Sequence, residues 1–488
     1  MKSKFFALLL GVLTSLFLNA QSNFIGSGVA LTFDGDADNY YDLGDNYNTL
    51  NFPVTFEAWV YQTEYSLFTP VFATDSHTSG NYYGLYVRFD PSGKLIFEIG
   101  SGTGAGGSHR RGKITSSSAP LNAWIHIAIV ATTITDIKFY FNGVVQPSIN
   151  TDGTSGVTSI VHNSNHVNFG RYATVHRADG FRGTLDEGRL WNIARTETEI
   201  RTTMCKKLTG AETGLIGYWK ADESYTSTTL DDYSVTNADG TLMGIVGKVT
   251  SAAPLGDASL YNYSTDYSGV QLNLNSPGGD KMKVNKILNT PLGIHLYRIN
   301  SAPYFNTGLE SFTNYYYGVF PIDGITAAKY NITYTYAFTN GVVNATNEAE
   351  SSIFKKTDDA ITSWSFLPST LNTTTDKLIK KNVIGRADYI FNIEINAGAR
   401  QAESNLASIK EIAIYPNPAT GIINFENVSS FESMIIVDIT GRIILSISQN
   451  DLVELQEIDV SGFDNGIYLV SAININGETQ SAKFVVSH

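Results

Sequence analysis

An all-β chain of consecutive sandwiches is predicted by three observations. Short runs of alternating apolar and polar residues recur from Val29 to the C-terminus, bounded by Gly, Pro, Asn and Asp. Helical periodicity is confined to one short signal between Thr196 and Met204. The 488 residues include 27 Tyr and 26 Phe, types that favour a pleated, half-buried surface. Such a length accommodates about three domains.

Residues 1–20 read as an export signal. Lys2 and Lys4 precede an apolar run from Phe5 to Leu18, and Leu18-Asn19-Ala20 offers a small-residue cleavage pattern before Gln21. The run is shorter than the roughly 20 residues needed to cross a bilayer, so no transmembrane segment is expected in the mature chain. A formal net charge of −13 disfavours nucleic acid and anionic lipid as partners. It suits a secreted protein that meets cations or neutral sugars. Cys205 is the only cysteine, which leaves no disulfide framework and no thiolate metal site, and beside Met204 it reads as a buried, inert thiol.

From Val29 the chain reads VALTFDGDADNYYDLG, and then Val54, Phe56, Ala58 and Val60 share one face of a strand. Strands follow at Tyr83 to Phe89 and Lys94 to Ile99 across a Pro91-Ser92-Gly93 turn, then at Trp124 to Ala131 and Ile137 to Val145, with Asn142-Gly143 as a hairpin signal. The stretch Phe181 to Glu223 organises the rest. Gly183 lets the chain turn into a strand holding Leu185, Gly188 and Leu190; Thr196 and Glu199 make a capping box with Ile200 and Met204 on one helical face; a second strand runs from Gly214 to Trp219.

This order resembles LamG-like domains, the laminin G, pentraxin-related and concanavalin A-type jelly rolls. The resemblance rests on Phe181, Gly183, Leu185, Asp186-Glu187, Arg189-Leu190-Trp191-Asn192, Glu199-Ile200 and Leu215, Gly217, Tyr218, Trp219, with Trp124, His126, Ile127 and Ala128 as a further match. Gly188 departs from the Val or Ile usual there. The resemblance implies a jelly-roll β-sandwich over 21–247. It also implies a calcium ion held by an Asp of the F-D-G turn and the Asp of the D-E pair, here Asp34 and Asp186. A solvated acidic turn, with Asp186 bonded to backbone amides, is the competing reading.

Residues 254–397 keep the strand habit, with Tyr330, Ile332, Tyr334 and Tyr336 on one face. The segment resembles β-rich regions of unclear role in secreted Bacteroidetes proteins, through Pro303, Tyr317-Gly318-Val319-Phe320, Trp364 and the strand from Arg386 to Ile390; an Ig-like sandwich is expected. Residues 398–410 are small and polar, a linker. Residues 411–488 resemble the C-terminal sorting domain of the type IX secretion system through Tyr415-Pro416-Asn417-Pro418, Gly441, Ile458-Asp459-Val460-Ser461, Gly466-Ile467-Tyr468 and Lys483. That likeness implies a seven-strand sandwich that serves as an address. It also implies passage through the periplasm and outer membrane by that machinery, with the tail removed and the protein attached to the surface or released.

Several groups carry polar chemistry. Asp34, Asp36, Asp38, Asp42 and Asp45 fall at positions 1, 3, 5, 9 and 12 of an EF-hand count, but Asn39 replaces the glycine and strands flank the run. Gly102 to Gly107 satisfies G-x-G-x-x-G without a helix to follow, so a nucleotide site is rejected. His109, Arg110, Arg111 and Lys113 form a basic cluster able to hold a sulfated or uronic-acid glycan. Tyr82, Tyr83, Tyr172, His176 and Arg177 lie in loops and could offer faces to sugar rings. His162 and His166 lie in a turn, and Asp186 and Glu187, adjacent on a strand, should point to opposite faces and cannot pair as glycosidase carboxylates. The expectation is a non-catalytic binding protein, secreted or at the cell surface, recognising polysaccharide or extracellular matrix. A glycoside hydrolase or lyase and a protein-binding adhesin are the alternatives.

Overall fold

The computed structural model describes residues 26–394 and 412–488, except 66–68, 76–80, 105–106, 152, 154–155, 172–179, 324–326, 427–430, 449–451, 453–456 and 475–478. The export signal, the linker, Tyr172, His176 and Arg177 lie outside the described residues. Two compact units divide the chain at Ala397 and Gly398.

The opening and closing strands of the first sandwich, Val29–Asp34 and Arg182–Trp191, pair antiparallel with Leu31 opposite Leu185. With Val54–Gln62, Trp124–Ala131 and their neighbours they build an eight-stranded sheet. A nine-stranded sheet packs on it and includes Tyr40–Asp42, Thr69–Ala73, Leu85–Phe89, Lys94–Gly100 and Arg110–Ser118. Alternation puts Phe56, Val60, Val87, Phe97, Leu185 and Leu190 into the shared core. The Asn142-Gly143 hairpin forms with both residues at positive φ, 48° and 71°. The capping box forms as well. Thr196 receives the Glu199 N–H and its own N–H donates to the Glu199 carboxylate, at the head of the helix Glu197–Thr203.

Two glycines in the closing strand have steric reasons. At φ +142°, Gly183 brings its backbone so near Tyr61 that a Cβ would sit 2.2 Å from the Tyr61 carbonyl oxygen. At Gly188, where a Val or Ile was anticipated, the Phe169 ring fills the space, 2.8 Å from where a Cβ would stand.

The first unit also contains a second sandwich, with a seven-stranded sheet and a five-stranded sheet among its described residues. Tyr330, Ile332, Tyr334 and Tyr336 share its core. The seven-stranded sheet lies against the first sandwich, and Trp59, Met204, Leu255, Tyr297, Phe320 and Ile390 form one buried cluster between them. Asp359 of the second sandwich accepts the Ser27 N–H of the first at 3.0 Å.

Among its described residues the second unit is a sandwich of a three-stranded and a four-stranded sheet, in keeping with the seven strands the sequence implied. Its Asn417 amide completes a strand pairing, donating to the Lys483 carbonyl at 3.0 Å and accepting from the Val485 N–H at 2.9 Å. Among the described residues no helix is long and apolar enough to cross a membrane.

Candidate functional site

The eight-stranded sheet turns Glu57 and Trp59 away from its core, yet both are fully buried. The helix Glu197–Thr203, the chain after it and the second sandwich cover them. Trp59 Nε1 donates to the Met204 carbonyl at 2.7 Å, and its ring meets Phe320 edge-on at 5.6 Å. Ionic pairs fill the same layer: Arg195 to Glu57 at 2.7 Å and Arg189 to Glu187 at 2.5 Å, with Arg189 also donating to the carbonyls of Thr203 and Lys206. Tyr218 donates to Glu187 at 2.8 Å. The Asp-Glu-x-Arg motif is therefore a clasp that ties the closing strand to the chain entering the second sandwich.

Two expectations change here. Asp186 and Glu187 do not point to opposite faces. A β-bulge between Asp186 and Arg189, with Glu187 at φ +52°, turns both carboxylates to the sealed side. Nor does the structure bring Asp34 and Asp186 together. Asp34 pairs with Arg182, four residues along the strand from Asp186, which separates them by roughly 13 Å. Asp186 accepts the Ser251 hydroxyl at 2.6 Å and the Glu187 N–H at 2.7 Å. Burial, then the charges of Glu187 and Asp222, push its carboxyl well above the usual range. Asp34 closes its own turn, receiving the Asp36 N–H at 3.0 Å and the Asn39 amide at 2.9 Å; burial raises its pKa, and these bonds outweigh it to leave the carboxyl below its ordinary value. Among the described residues no three His, Cys, Asp or Glu side chains converge to hold a metal ion. Cys205 is buried, and desolvation pushes its thiol far up.

The nine-stranded sheet presents the other side of the first sandwich. In Leu85–Phe89 the residues Leu85, Val87 and Phe89 enter the core, so Tyr86 and Arg88 lie on the opposite side of the sheet, as does Glu98 of Lys94–Gly100; all three are nonetheless buried. Register sets Tyr86 beside Glu98 and Gly100 beside Arg110. The guanidiniums of Arg88 and Arg110 converge on Glu98 Oε2 at 2.9 and 3.3 Å. Arg110 also lies over the Tyr82 ring, 4.8 Å from its centroid, and Tyr82 meets Tyr86 edge-on at 6.2 Å. Tyr82 is held from both sides by backbone, its N–H donating to Gly104 at 3.1 Å and its carbonyl accepting from Gly102 at 2.7 Å. A Cβ at Gly100 would lie 2.3 Å from the Tyr82 backbone, so glycine there lets the loop settle onto the sheet.

Of the residues singled out from sequence, Tyr82 and Arg110 come together. Tyr83 sits beside them, its N–H donating to the Tyr86 hydroxyl at 3.0 Å. Arg111 turns to the Val157 carbonyl at 3.1 Å, and His109 is half-buried at the head of the strand. Tyr86, Arg88 and Glu98 were missed, although the alternation of their strands carried the signal. The glycine loop runs through a single 3-10 turn, Gly107–His109, into the strand Arg110–Ser118, with no α-helix to receive a pyrophosphate. His162 and His166 serve separate carboxylates, Asp75 and Asp42, each at 2.8 Å. His162 also lies 2.7 Å from the Leu50 carbonyl, so both its ring nitrogens face acceptors and its protonated form satisfies them together. Burial opposes that charge, but the bonds to Asp75 and Leu50 and the nearby carboxylates outweigh it and raise its pKa.

Residues 34–201 match the concanavalin A-like lectin/glucanases superfamily, and residues 413–487 match the secretion system C-terminal sorting domain. The chain joins a concanavalin A-like domain to a type IX sorting domain. A tail of this kind implies secretion or display at the outer surface. No curated protein matches the chain. A candidate carbohydrate-binding protein from Bacteroides ovatus is 21% identical over 48% of this chain and 62% of that one, with a TM-score of 0.35. The SAP-like pentraxin of Limulus polyphemus is 14% identical over 36% and 81%, TM-score 0.26. The CBM40 of a Ruminococcus gnavus sialidase, solved with sialyllactose, is 12% identical over 36% and 97%, TM-score 0.28. The chain thus spans under two thirds of the first of these proteins.

Proposed function

We infer that this is an exported, non-catalytic carbohydrate-binding protein whose concanavalin A-like domain recognises polysaccharide on the outer side of its nine-stranded sheet, around Tyr82 and Arg110. One observation carries the reading. The outer side of the eight-stranded sheet is closed by the second sandwich, while the other sheet leaves Tyr82 and Arg110 partly exposed over the buried Tyr86, Arg88 and Glu98. Guanidinium forks suit the paired oxygens of sugar hydroxyls and carboxylates, and tyrosine faces suit the C–H surface of a pyranose. The acidic pair of the Asp-Glu-x-Arg motif is sealed away from any polymer, at 0% and 1% exposure. The signal peptide and sorting domain would deliver the protein to where such polymers are met.

The test is an immobilised-polysaccharide screen with the chain from Gln21, alongside a reducing-end assay. Retention on at least one glycan without release of reducing ends is expected. Turnover abolished by replacing a single carboxylate would make the protein an enzyme instead.

A further inference from the structure

The second sandwich carries a face outside the function proposed above. Its five-stranded sheet runs in the order Gln271–Asn275, Lys281–Leu288, Lys329–Thr335, Lys377–Ile384, Thr370–Asn372. Leu272, Met282, Val284, Ile332, Tyr334 and Leu378 point into the core. The register therefore sets Asn275, Lys281, Thr335, Lys377 and Asn372 in one outward row across the sheet. The next row holds Asn273, Lys283, Thr333, Ile379 and Thr370.

The composition of this sheet is opposite to that of the chain. Its five strands hold seven lysines and no Asp or Glu, in a protein with 46 acidic and 33 basic residues. Among the described residues, no carboxylate lies within ion-pair distance of Lys281, Lys283 or Lys377. Lys281 and Lys283 stand roughly 7 Å apart along one strand, and Lys281 and Lys377 roughly 10 Å apart across two strand spacings. Like charges at such spacings repel, and nothing on the sheet offsets them. Edge protection does not explain them: both edge strands lack lysine, and all seven sit on the three inner strands. Solubility does not call for them either, since the protein is already strongly acidic.

A partner that repays this arrangement carries regularly spaced negative charge. Between and beside the lysines stand amides and hydroxyls, Asn273, Asn275, Asn372, Thr335 and Thr370, of the kind that hydrogen-bond neutral hydroxyl groups. The two rows hold no aromatic side chain to stack a nucleobase. Exposed Leu288 and Ile384 lie at one end, beside Lys329 and outside both rows. We propose that this face binds a linear acidic polysaccharide, its sulfates or carboxylates meeting Lys281, Lys283 and Lys377 and its hydroxyls meeting the intervening Asn and Thr. The site is separate from Tyr82 and Arg110, and either can fail without the other.

The probe is dextran sulfate, with uncharged dextran as its counterpart, offered to the chain from Gln21 at low ionic strength. Binding to dextran sulfate but not dextran is expected, weakening as salt is raised. The triple variant K281Q/K283Q/K377Q should bind about ten-fold more weakly. K281R/K283R/K377R should retain binding, and K138Q/K206Q/K355Q, which removes the same charge from exposed positions elsewhere, should bind within about two-fold of the parent. The Tyr82→Ala variant should bind dextran sulfate normally. Unaltered melting of the Gln triple confirms that the fold is intact, and the Arg triple reads out the charge if the Gln triple melts early. The proposal is overturned by failure of the parent to bind, by equal loss in the two Gln triples, or by tighter binding to phosphatidylglycerol vesicles than to dextran sulfate. The last result would give the face to lipid.

Discussion

Replacing Trp59 by Ala tests whether the first two sandwiches are one cooperative body. Trp59 has no exposed surface, meets Phe320 and His126 edge-on at 5.6 and 5.3 Å, and donates to the Met204 carbonyl at 2.7 Å. Truncating a buried Trp costs about 3–5 kcal/mol, and the stranded carbonyl adds about 1 kcal/mol. The loss falls on the cluster that joins the sandwiches, not on either inner core. Scanning calorimetry of residues 21–397 should therefore give one transition for the parent and an early, broadened or split transition for Trp59→Ala. Trp59→Phe keeps most of the packing but loses the N–H donor and part of the ring volume, so it should cost about 2–3 kcal/mol and leave a single transition. Two independent transitions in the parent, or a Trp59→Ala cost below about 1 kcal/mol, would refute a shared core. The eight-stranded sheet would then be open for binding after all.

Asp186→Ala should destabilise the protein by about 2–4 kcal/mol because it strands the Ser251 hydroxyl and the Glu187 N–H, and excess calcium should leave that loss unchanged; Asp34→Ala, on an exposed turn, should cost under about 1 kcal/mol by urea titration. His162 has a folded pKa above its ordinary 6.5, so its stabilisation is complete below that pH and is lost as pH rises through the folded value. Proton NMR of the ring should locate that value, and His162→Ala should flatten the corresponding part of the melting-temperature profile. Deleting residues 412–488 should leave the protein inside the periplasm of a host with type IX export, as cell fractionation would report.

Much of the fold was legible because its signals are local. The capping box at Thr196 and Glu199 and the Asn142-Gly143 hairpin are set within a few residues, and the Phe181 to Trp219 order carries the jelly roll. What stayed hidden depends on register and on packing between elements. The bulge at Glu187 reverses a face that simple alternation assigns, and no spacing in the sequence announces it. Asp186 looked available for a cation because nothing local reveals that it is fully buried and bonded to the Ser251 hydroxyl. Tyr86, Arg88 and Glu98 each project from a readable strand, but their meeting with Arg110 follows only from which strands are neighbours. The lysine face was hidden for the same reason, since its residues are spread from Lys281 to Lys381 and only the register gathers them.

The central claim is that the concanavalin A-like domain binds glycan around Tyr82 and Arg110. The most direct measurement is the affinity of the chain from Gln21 for a polysaccharide that retains it, compared with Tyr82→Ala and Arg110→Lys. Lysine keeps the charge of Arg110 but not its planar fork, and Tyr82→Ala removes the ring beneath it. A charge-assisted hydrogen bond is worth about 1.5–3 kcal/mol, so Arg110→Lys should weaken binding by about ten-fold or more with an unchanged melting temperature. Tyr82→Ala should weaken it by about five-fold. Full affinity in both variants would place the glycan elsewhere and contradict the account.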